Sequence, residues 1–189
     1  VISPEKPTVL IGERINPTGK PKFATALTEG RLDRVLGAAR RQAEAGARAL
    51  DVNVGVPGID EPAAMAMAVD AVQNVVDLPL CLDSSDPAAL ERGLQTVAGR
   101  PLLNSVHVGD DAPALLAMAR RYGAAVLLLP TGETIPEDVE GRMTFARQLF
   151  DQARAAGLGP RDLVVDVLAL AASAMQDGAA ASLDAIRAV

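Results

Sequence analysis

The chain has 189 residues, of which 49% are hydrophobic and 2% aromatic, and its formal net charge is −6. This length and apolar share are typical of one globular domain with a sizeable core. A nucleic-acid partner is not expected, because Lys and Arg are scattered and aromatic residues are too few to form stacking platforms.

Cysteine and histidine are almost absent from the chain. The single cysteine, Cys81, has no partner for an internal disulfide and fits a reducing cytoplasm. With one histidine, His107, a His-rich metal site is excluded, and no metal site is predicted. His107 follows a predicted strand and is expected to be a surface or hydrogen-bonded residue.

No apolar run is long enough to span a membrane, and residues 1–8 lack the apolar stretch of a signal peptide, so we expect a cytoplasmic protein without a membrane partner.

Short apolar runs alternate along the chain with longer helical patterns, which is typical of βα units and a parallel sheet. The six predicted strands are Val9–Glu13, Ala49–Val54, Leu80–Ser84, Leu102–Val106, Ala125–Leu129 and Leu163–Leu168. The predicted helices are Arg31–Ala45, Glu61–Val76, Pro87–Gln95, Ala112–Tyr122, Val139–Ala156 and, in part, Ala181–Val189. Glycine helix ends are predicted at Gly46 and Gly123, and an N-cap at Asp86 before Pro87. The pattern indicates one domain over residues 1–189 that is either a barrel or an open sheet.

Carboxylate and amide side chains occur at the C-terminal ends of five predicted strands. They are Glu13 and Asn16, Asp51 and Asn53, Asp83, Asn104, and Asp166. A single such residue is as well explained as a helix N-cap or a turn former. Because the C-terminal ends of barrel strands converge on one face, five in succession favour a ligand site there.

The chain lacks the motifs of several common sites. There is no GxSxG motif, no P-loop and no GxGxxG after a strand, and no catalytic residue is identified. Carboxylates and amides without a metal suit a neutral, planar heterocycle that is rich in donors. A pterin ring is such a ligand, because an ionised Asp can accept from its adjacent 2-amino and N3–H groups.

Four ordered segments resemble the motifs of the methyltetrahydrofolate:corrinoid methyltransferase family, which is related to the folate domain of cobalamin-dependent methionine synthase. They are IGERINPTG at 11–19, DVNVG at 51–55, CLDSS at 81–85 and LNS at 103–105. The resemblance runs from about Val9 to the region after Asp166. It implies an α/β fold, a (β/α)8 TIM barrel, of which this chain holds about six βα units.

The resemblance also implies a function. The family binds 5-methyltetrahydrofolate as substrate and transfers its N5-methyl group to the cobalt of a corrinoid (cobalamin) carried by a partner protein or domain. The resemblance assigns seven residues to the pterin site: Asp83, Asn104 and Asp166 as ring ligands, Glu13 and Asn16 at the ring edge, and Asp51 and Asn53 near the site.

The chain departs from the family pattern at two places. Val167 stands where the family usually has Pro after the sixth-strand Asp. The chain also stops after about six βα units, short of the ~250 residues of a typical barrel. We therefore expect the domain to be C-terminally incomplete, or its sheet to be completed by a partner or by a homodimer. Without such completion, the backbone groups at the outer edges of the first and last strands, Val9–Glu13 and Leu163–Leu168, would remain unpaired.

Two other functions fit the same fold. Dihydropteroate synthase shares the barrel and the pterin pocket, but its Asn-x-Thr-Pro-Asp-Ser-Phe and Glu-Ser-Thr-Arg-Pro motifs are replaced here by RINPTG at 14–19 and NVGVPG at 53–58. The other is a non-catalytic barrel fragment that binds folate, or only a corrinoid protein.

Overall fold

The computed structural model describes residues 6–136, 138–169 and 178–188. The strands are β1 Ile11–Ile15, β2 Ala49–Val52, β3 Leu80–Asp83, β4 Leu102–His107, β5 Ala125–Leu129 and β6 Leu163–Val165. The helices are α1 Pro21–Thr28, α2 Asp33–Glu44, α3 Glu61–Gln73, α4 Pro87–Thr96, α5 Ala112–Tyr122, α6 Val139–Ala155 and α7 Gly178–Ala188.

The predicted α/β fold is confirmed. The strands belong to a six-stranded parallel sheet in which strand order follows chain order. This is the order of a βα-repeat fold, because every connection between two neighbouring parallel strands contains at least one helix. By its contacts the chain divides into two compact units, Val1–Leu102 and Leu103–Val189.

In the first unit, helices α3 and α4 pack closely on one face of β3. Met65 and Leu82 are fully buried, and a Cβ at Gly93 would lie 3.0 Å from Met65 Cγ and 3.1 Å from Leu82 Cδ1. Glycine is therefore the residue that lets α4 approach β3 and α3 this closely. Since Leu82 faces the helices, Cys81 and Asp83 lie on the opposite face of β3.

In the second unit, β5 shows the same two-residue alternation. Val126 and Leu128 are fully buried, whereas Leu127 and Leu129, on the other face of the strand, are only half-buried. Helices α5 and α6 both contact β5. β6 runs parallel to β5, with Leu163 opposite Val126.

Most predicted elements agree with the structure to within a few residues. β5 and α5 have the predicted bounds, Gly123 ends α5 in the left-handed conformation with φ 69°, and the Asp86 carboxylate accepts from Ala88 N–H at 2.8 Å. Cys81 is buried, and His107 is exposed, as expected for a surface histidine.

Three elements differ most from the prediction. β6 ends at Val165 and not at Leu168, because its pairing with β5 ends at Val165 opposite Leu128, so Asp166 follows the strand. β1 begins at Ile11 and not at Val9, because its pairing with β2 starts at Ile11 opposite Ala49. Helix α1 was not predicted; it begins at Pro21, a residue favoured in the first turn of a helix. The predicted end of the last helix, Val189, lies outside the described residues.

Candidate functional site

Three of the predicted site residues lie together at the ends of β2 and β3 in the first unit. Asp51 pairs with Cys81 and Val52 with Leu82, so this register brings Asn53, which follows β2, alongside Asp83, which ends β3. Alternation along the strands places all three polar side chains on the face that the helices do not cover.

Asn53 and Asp83 are hydrogen-bonded to each other. Asn53 Nδ2 donates to Asp83 Oδ2 at 3.0 Å, and Asn53 Oδ1 accepts from Gly55 N–H at 2.9 Å. With one end of the amide bound to a backbone donor and the other to a carboxylate, the hydrogen-bond network fixes which end faces Asp83. Asn53 therefore holds the Asp83 carboxylate in place and does not compete with it for ligand donors.

The Asp83 carboxyl group has a raised pKa. Burial is the main cause of the rise, and it is opposed by the hydrogen bond from Asn53. The nearby negative charge of Glu13 raises the pKa further, while a hydrogen bond with Asp51 lowers it. A half-buried carboxylate that is incompletely compensated is a common feature of binding sites.

Asp51 differs from Asp83 in exposure. Its side chain is buried, with 3% of the residue exposed, whereas Asp83 is half-buried. Asp51 is hydrogen-bonded to Asp83, so this buried side chain helps to hold the neighbouring carboxylate in place.

Glu13 and Asn16 lie near the end of β1. Asn16 Nδ2 donates weakly to Glu13 Oε1 at 3.5 Å, and Asn16 Oδ1 accepts from Thr18 N–H at 2.9 Å. Lys20 Nζ donates to the Asn16 carbonyl at 3.0 Å, and this hydrogen bond joins the two ends of the loop between β1 and α1. Glu13 is exposed, and its charge acts on Asp83, so the end of β1 is electrostatically linked to β3.

A second pair, Ser84 and Glu61, was not predicted from the sequence. The Ser84 hydroxyl donates to Glu61 Oε1 and accepts from Asp86 N–H at 2.9 Å. A Cβ at Gly55 would lie 3.6 Å from both Glu61 carboxylate oxygens, so Glu61 adjoins the turn held by Asn53. No distinctive sequence signal points to this pair, since an acidic residue in the first turn of a helix is common.

Asn104 and Asp166 lie in the second unit. Asn104 is half-buried within β4. Asp166 directly follows β6, is exposed, and accepts at Oδ1 from Leu168 N–H at 2.8 Å. That these two residues share one ligand with Asp83 stays a prediction.

Two negative findings apply to the described part of the chain. No group of three or more His, Cys, Asp or Glu side chains is arranged to hold a metal ion. None of the described helices is both long and apolar enough to cross a membrane.

Solved structures of dihydropteroate synthases share this fold. The enzyme from Xanthomonas albilineans, in complex with 7,8-dihydropteroate, is 20% identical, with a TM-score of 0.71 over 98% of this chain and 69% of that one. The Clostridium difficile enzyme, solved with pteroic acid, is 15% identical, with a TM-score of 0.65 over 85% of this chain and 64% of that one. The Yersinia pestis enzyme, bound to a pterine-sulfa conjugate, is 22% identical, with a TM-score of 0.60 over 84% of this chain and 57% of that one.

These likenesses establish the fold, and the chain spans between 57% and 69% of the length of the three structures. The family is established by a separate comparison. The family model described as pterin binding enzyme matches residues 12–189, which is nearly the whole chain. The chain therefore belongs to the pterin binding enzyme family.

Proposed function

We propose that this protein binds the pterin ring of a reduced folate compound, with Asp83 as the principal ligand. The observation that carries the proposal is the half-buried Asp83 carboxylate, which is held by Asn53 at 3.0 Å on the face of the strands away from the helices. Each carboxylate oxygen has two lone pairs, so Asp83 can keep the Asn53 bond and still accept from the 2-amino and N3–H groups of a pterin.

The raised pKa of Asp83 supports this role. Burial has removed part of the water that would otherwise stabilise the ionised carboxylate. Two ligand N–H donors would replace that water, and hydrogen bonds to a charged group are the stronger kind. The free site is therefore suited to a ligand with paired donors.

The first candidate reaction is methyl transfer from 5-methyltetrahydrofolate. It is supported by the resemblance of the ordered segments at 11–19, 51–55, 81–85 and 103–105 to the methyltetrahydrofolate:corrinoid methyltransferases. A corrinoid on a partner protein or domain would supply the nucleophilic cobalt. The residues of this chain would orient the folate, with Asn104 and Asp166 as further pterin ligands and Glu13 and Asn16 at the ring edge.

The second candidate is a dihydropteroate synthase reaction. It is favoured by the fold similarity to dihydropteroate synthases, one of them in complex with 7,8-dihydropteroate. Because the two enzyme classes share the barrel and the pterin pocket, the position of Asp83 does not distinguish the two reactions.

Pterin binding is tested by calorimetry with 5-methyltetrahydrofolate and with 7,8-dihydropteroate. Asp83→Ala is expected to weaken binding of either ligand by about 1.5–3 kcal/mol, the scale for a hydrogen bond to a charged group. Asp70→Ala, which removes an exposed carboxylate from α3, is the matched control and should bind normally. Unchanged affinity in Asp83→Ala, with the fold intact by circular dichroism, would remove Asp83 from the site.

The two reactions are separated by activity. One assay follows methyl transfer from 5-methyltetrahydrofolate to free cob(I)alamin. The other follows formation of 7,8-dihydropteroate from p-aminobenzoate and a dihydropterin whose 6-methylene carbon carries a diphosphate, which leaves as the new C–N bond forms. Turnover in only one assay identifies the reaction. Binding without turnover in either assay favours the non-catalytic alternative.

A further inference from the structure

Arg142, near the start of α6, is the largest fully buried side chain in the described part of the chain, with 1% of the residue exposed. A buried guanidinium is costly unless its donors are bonded. Arg142 belongs to the second unit, as does Asp166. Its hydrogen-bond partners show what its burial does.

One donor nitrogen of Arg142, Nη1, binds the segment that follows Asp166, whereas Nε donates to the Pro136 carbonyl at 3.1 Å. Nη1 donates to the carbonyl of Val167 at 2.8 Å and to that of Leu168 at 3.2 Å. Nη1 also lies 3.2 Å from Ser182 Oγ, and this hydroxyl itself donates to the Leu168 carbonyl at 2.8 Å. The Leu168 carbonyl is thus held from two sides.

Leu168 has an unusual backbone conformation. Its φ is 60°, the left-handed region that residues with a side chain rarely adopt unless their surroundings hold them there. In this conformation the Leu168 N–H points back and donates to Asp166 Oδ1 at 2.8 Å. The same turn that Arg142 holds therefore fixes the orientation of the Asp166 carboxylate.

We propose that Arg142 is a positioning residue for Asp166: by binding the Val167 and Leu168 carbonyls it holds the turn whose N–H orients that carboxylate toward its ligand. The inference rests on the proposed pterin site, in which Asp166 is a ligand. Arg142 itself acts only through the turn. A purely structural alternative is that Arg142 joins α6 to α7 through Ser182 and has no special relation to Asp166.

The first test is a double-mutant cycle in the full encoded protein, with calorimetry against whichever of 5-methyltetrahydrofolate and 7,8-dihydropteroate the wild type binds. Arg142→Met and Asp166→Asn are each expected to weaken binding by roughly tenfold, the scale of one hydrogen bond to a charged group. Because Arg142 acts through Asp166, the double variant should bind no more weakly than Asp166→Asn alone. Arg147→Met, which removes an exposed arginine from the same helix, is the control and should bind normally.

Two results of this cycle would overturn the inference. Additive losses in the double variant mean that Arg142 acts by another route. Normal affinity in Asp166→Asn, while Asp83→Ala still weakens binding, removes Asp166 from the site and the inference with it, but leaves the proposed pterin function standing.

The second test needs no ligand. Amide hydrogen exchange of Leu168, followed by NMR, should accelerate in Arg142→Met by at least tenfold as the turn opens, and should be unchanged in Arg147→Met. Arg142→Lys keeps the charge but has a single donor nitrogen, so it should give intermediate exchange and intermediate affinity. This variant also replaces Arg142→Met in both tests if the latter does not fold.

Unchanged Leu168 exchange in the Arg142 variants overturns the inference even if pterin binds. If the wild type binds no pterin while Leu168 exchange responds as expected, the proposed function fails and Arg142 is reduced to a structural residue of this turn.

Discussion

At Asp83, burial and two neighbouring carboxylates act on one acidic group. Its pKa is raised mainly by burial and also by the charge of Glu13, so the group takes up a proton at a higher pH than the ordinary value of 3.8. A protonated carboxyl cannot accept from both donors of a pterin. The pH dependence of binding should therefore carry a signature of Asp83.

We expect pterin affinity to fall as the pH is lowered from neutral through the raised pKa of Asp83. Glu13→Gln removes a negative charge and should move the midpoint of this fall to lower pH. Asp83→Asn should bind weakly with a much flatter profile. Calorimetry across the pH range measures the effect. Asp83→Asn lacks the titrating carboxyl group, so the pH dependence that remains in this variant comes from the ligand or from other groups. Identical profiles in wild type and Asp83→Asn would contradict the assignment.

The same raised pKa has a consequence for stability. A folded-state pKa above the unfolded value gives a stability contribution that is present below the unfolded pKa and is lost as the pH rises through the folded pKa. At neutral pH the ionised Asp83 therefore costs stability, and Asp83→Asn should melt at a higher temperature than the wild type. This is the expected trade-off at a binding site.

Thermal unfolding at several pH values checks this prediction. The advantage of Asp83→Asn should shrink as the pH approaches the ordinary carboxyl range. Asp70→Asn, on the exposed surface of α3, should leave the melting temperature almost unchanged. A lower melting temperature for Asp83→Asn at neutral pH would show that the charge of Asp83 stabilises the fold.

At the scale of elements, local patterns predicted what local forces determine. β5 and α5 were predicted with the observed bounds, since an apolar alternation, a helical period and Gly123 at the helix end are all readable in one short stretch. β1 was displaced by two residues because its start depends on pairing with Ala49 in another strand. Apolar character alone assigned Val9 to the strand.

In the candidate site too, features set by the local sequence were predicted, and features set by contacts with distant segments were not. Its strand-end position identified Asp83 as a candidate site residue from the sequence. The bond from Asn53 to Asp83 was beyond prediction, because it depends on the register of β2 against β3 over 30 residues of sequence. The Ser84 bond to Glu61 depends likewise on how α3 docks beside β3.

The contact of α4 with α3 and β3 yields a prediction for this element. Gly93→Val places methyl groups where even a Cβ would lie 3.0 Å from Met65 Cγ, and should destabilise the fold by about 1–3 kcal/mol through overpacking. Gly37→Val in α2 is the matched control, because a Cβ there meets only the flexible end of Arg41. Urea unfolding of both variants measures the difference. Equal stabilities would mean that α4 can shift outward at little cost.

At the scale of the whole chain, apolar side chains are exposed in both compact units. Leu10, which immediately precedes β1, and Ile11, its first residue, are 58% and 38% exposed. Leu183 and Ile186, three residues apart on α7, are 57% and 60% exposed. β1 is the first strand in the sheet order and is paired with β2. An apolar strand at a sheet edge favours association with further chain.

We predict that the 189-residue chain made by itself self-associates through the β1 edge. The double change Leu10→Lys and Ile11→Lys introduces charge at this edge and should reduce association, because an edge lysine opposes strand pairing. Met67→Lys is the control, since Met67 is 49% exposed on α3, away from any strand edge. Sedimentation velocity over a range of concentrations measures the effect. If the chain is instead monomeric, melts cooperatively and turns over substrate at an ordinary enzymatic rate, then six strands suffice and the edge prediction is wrong.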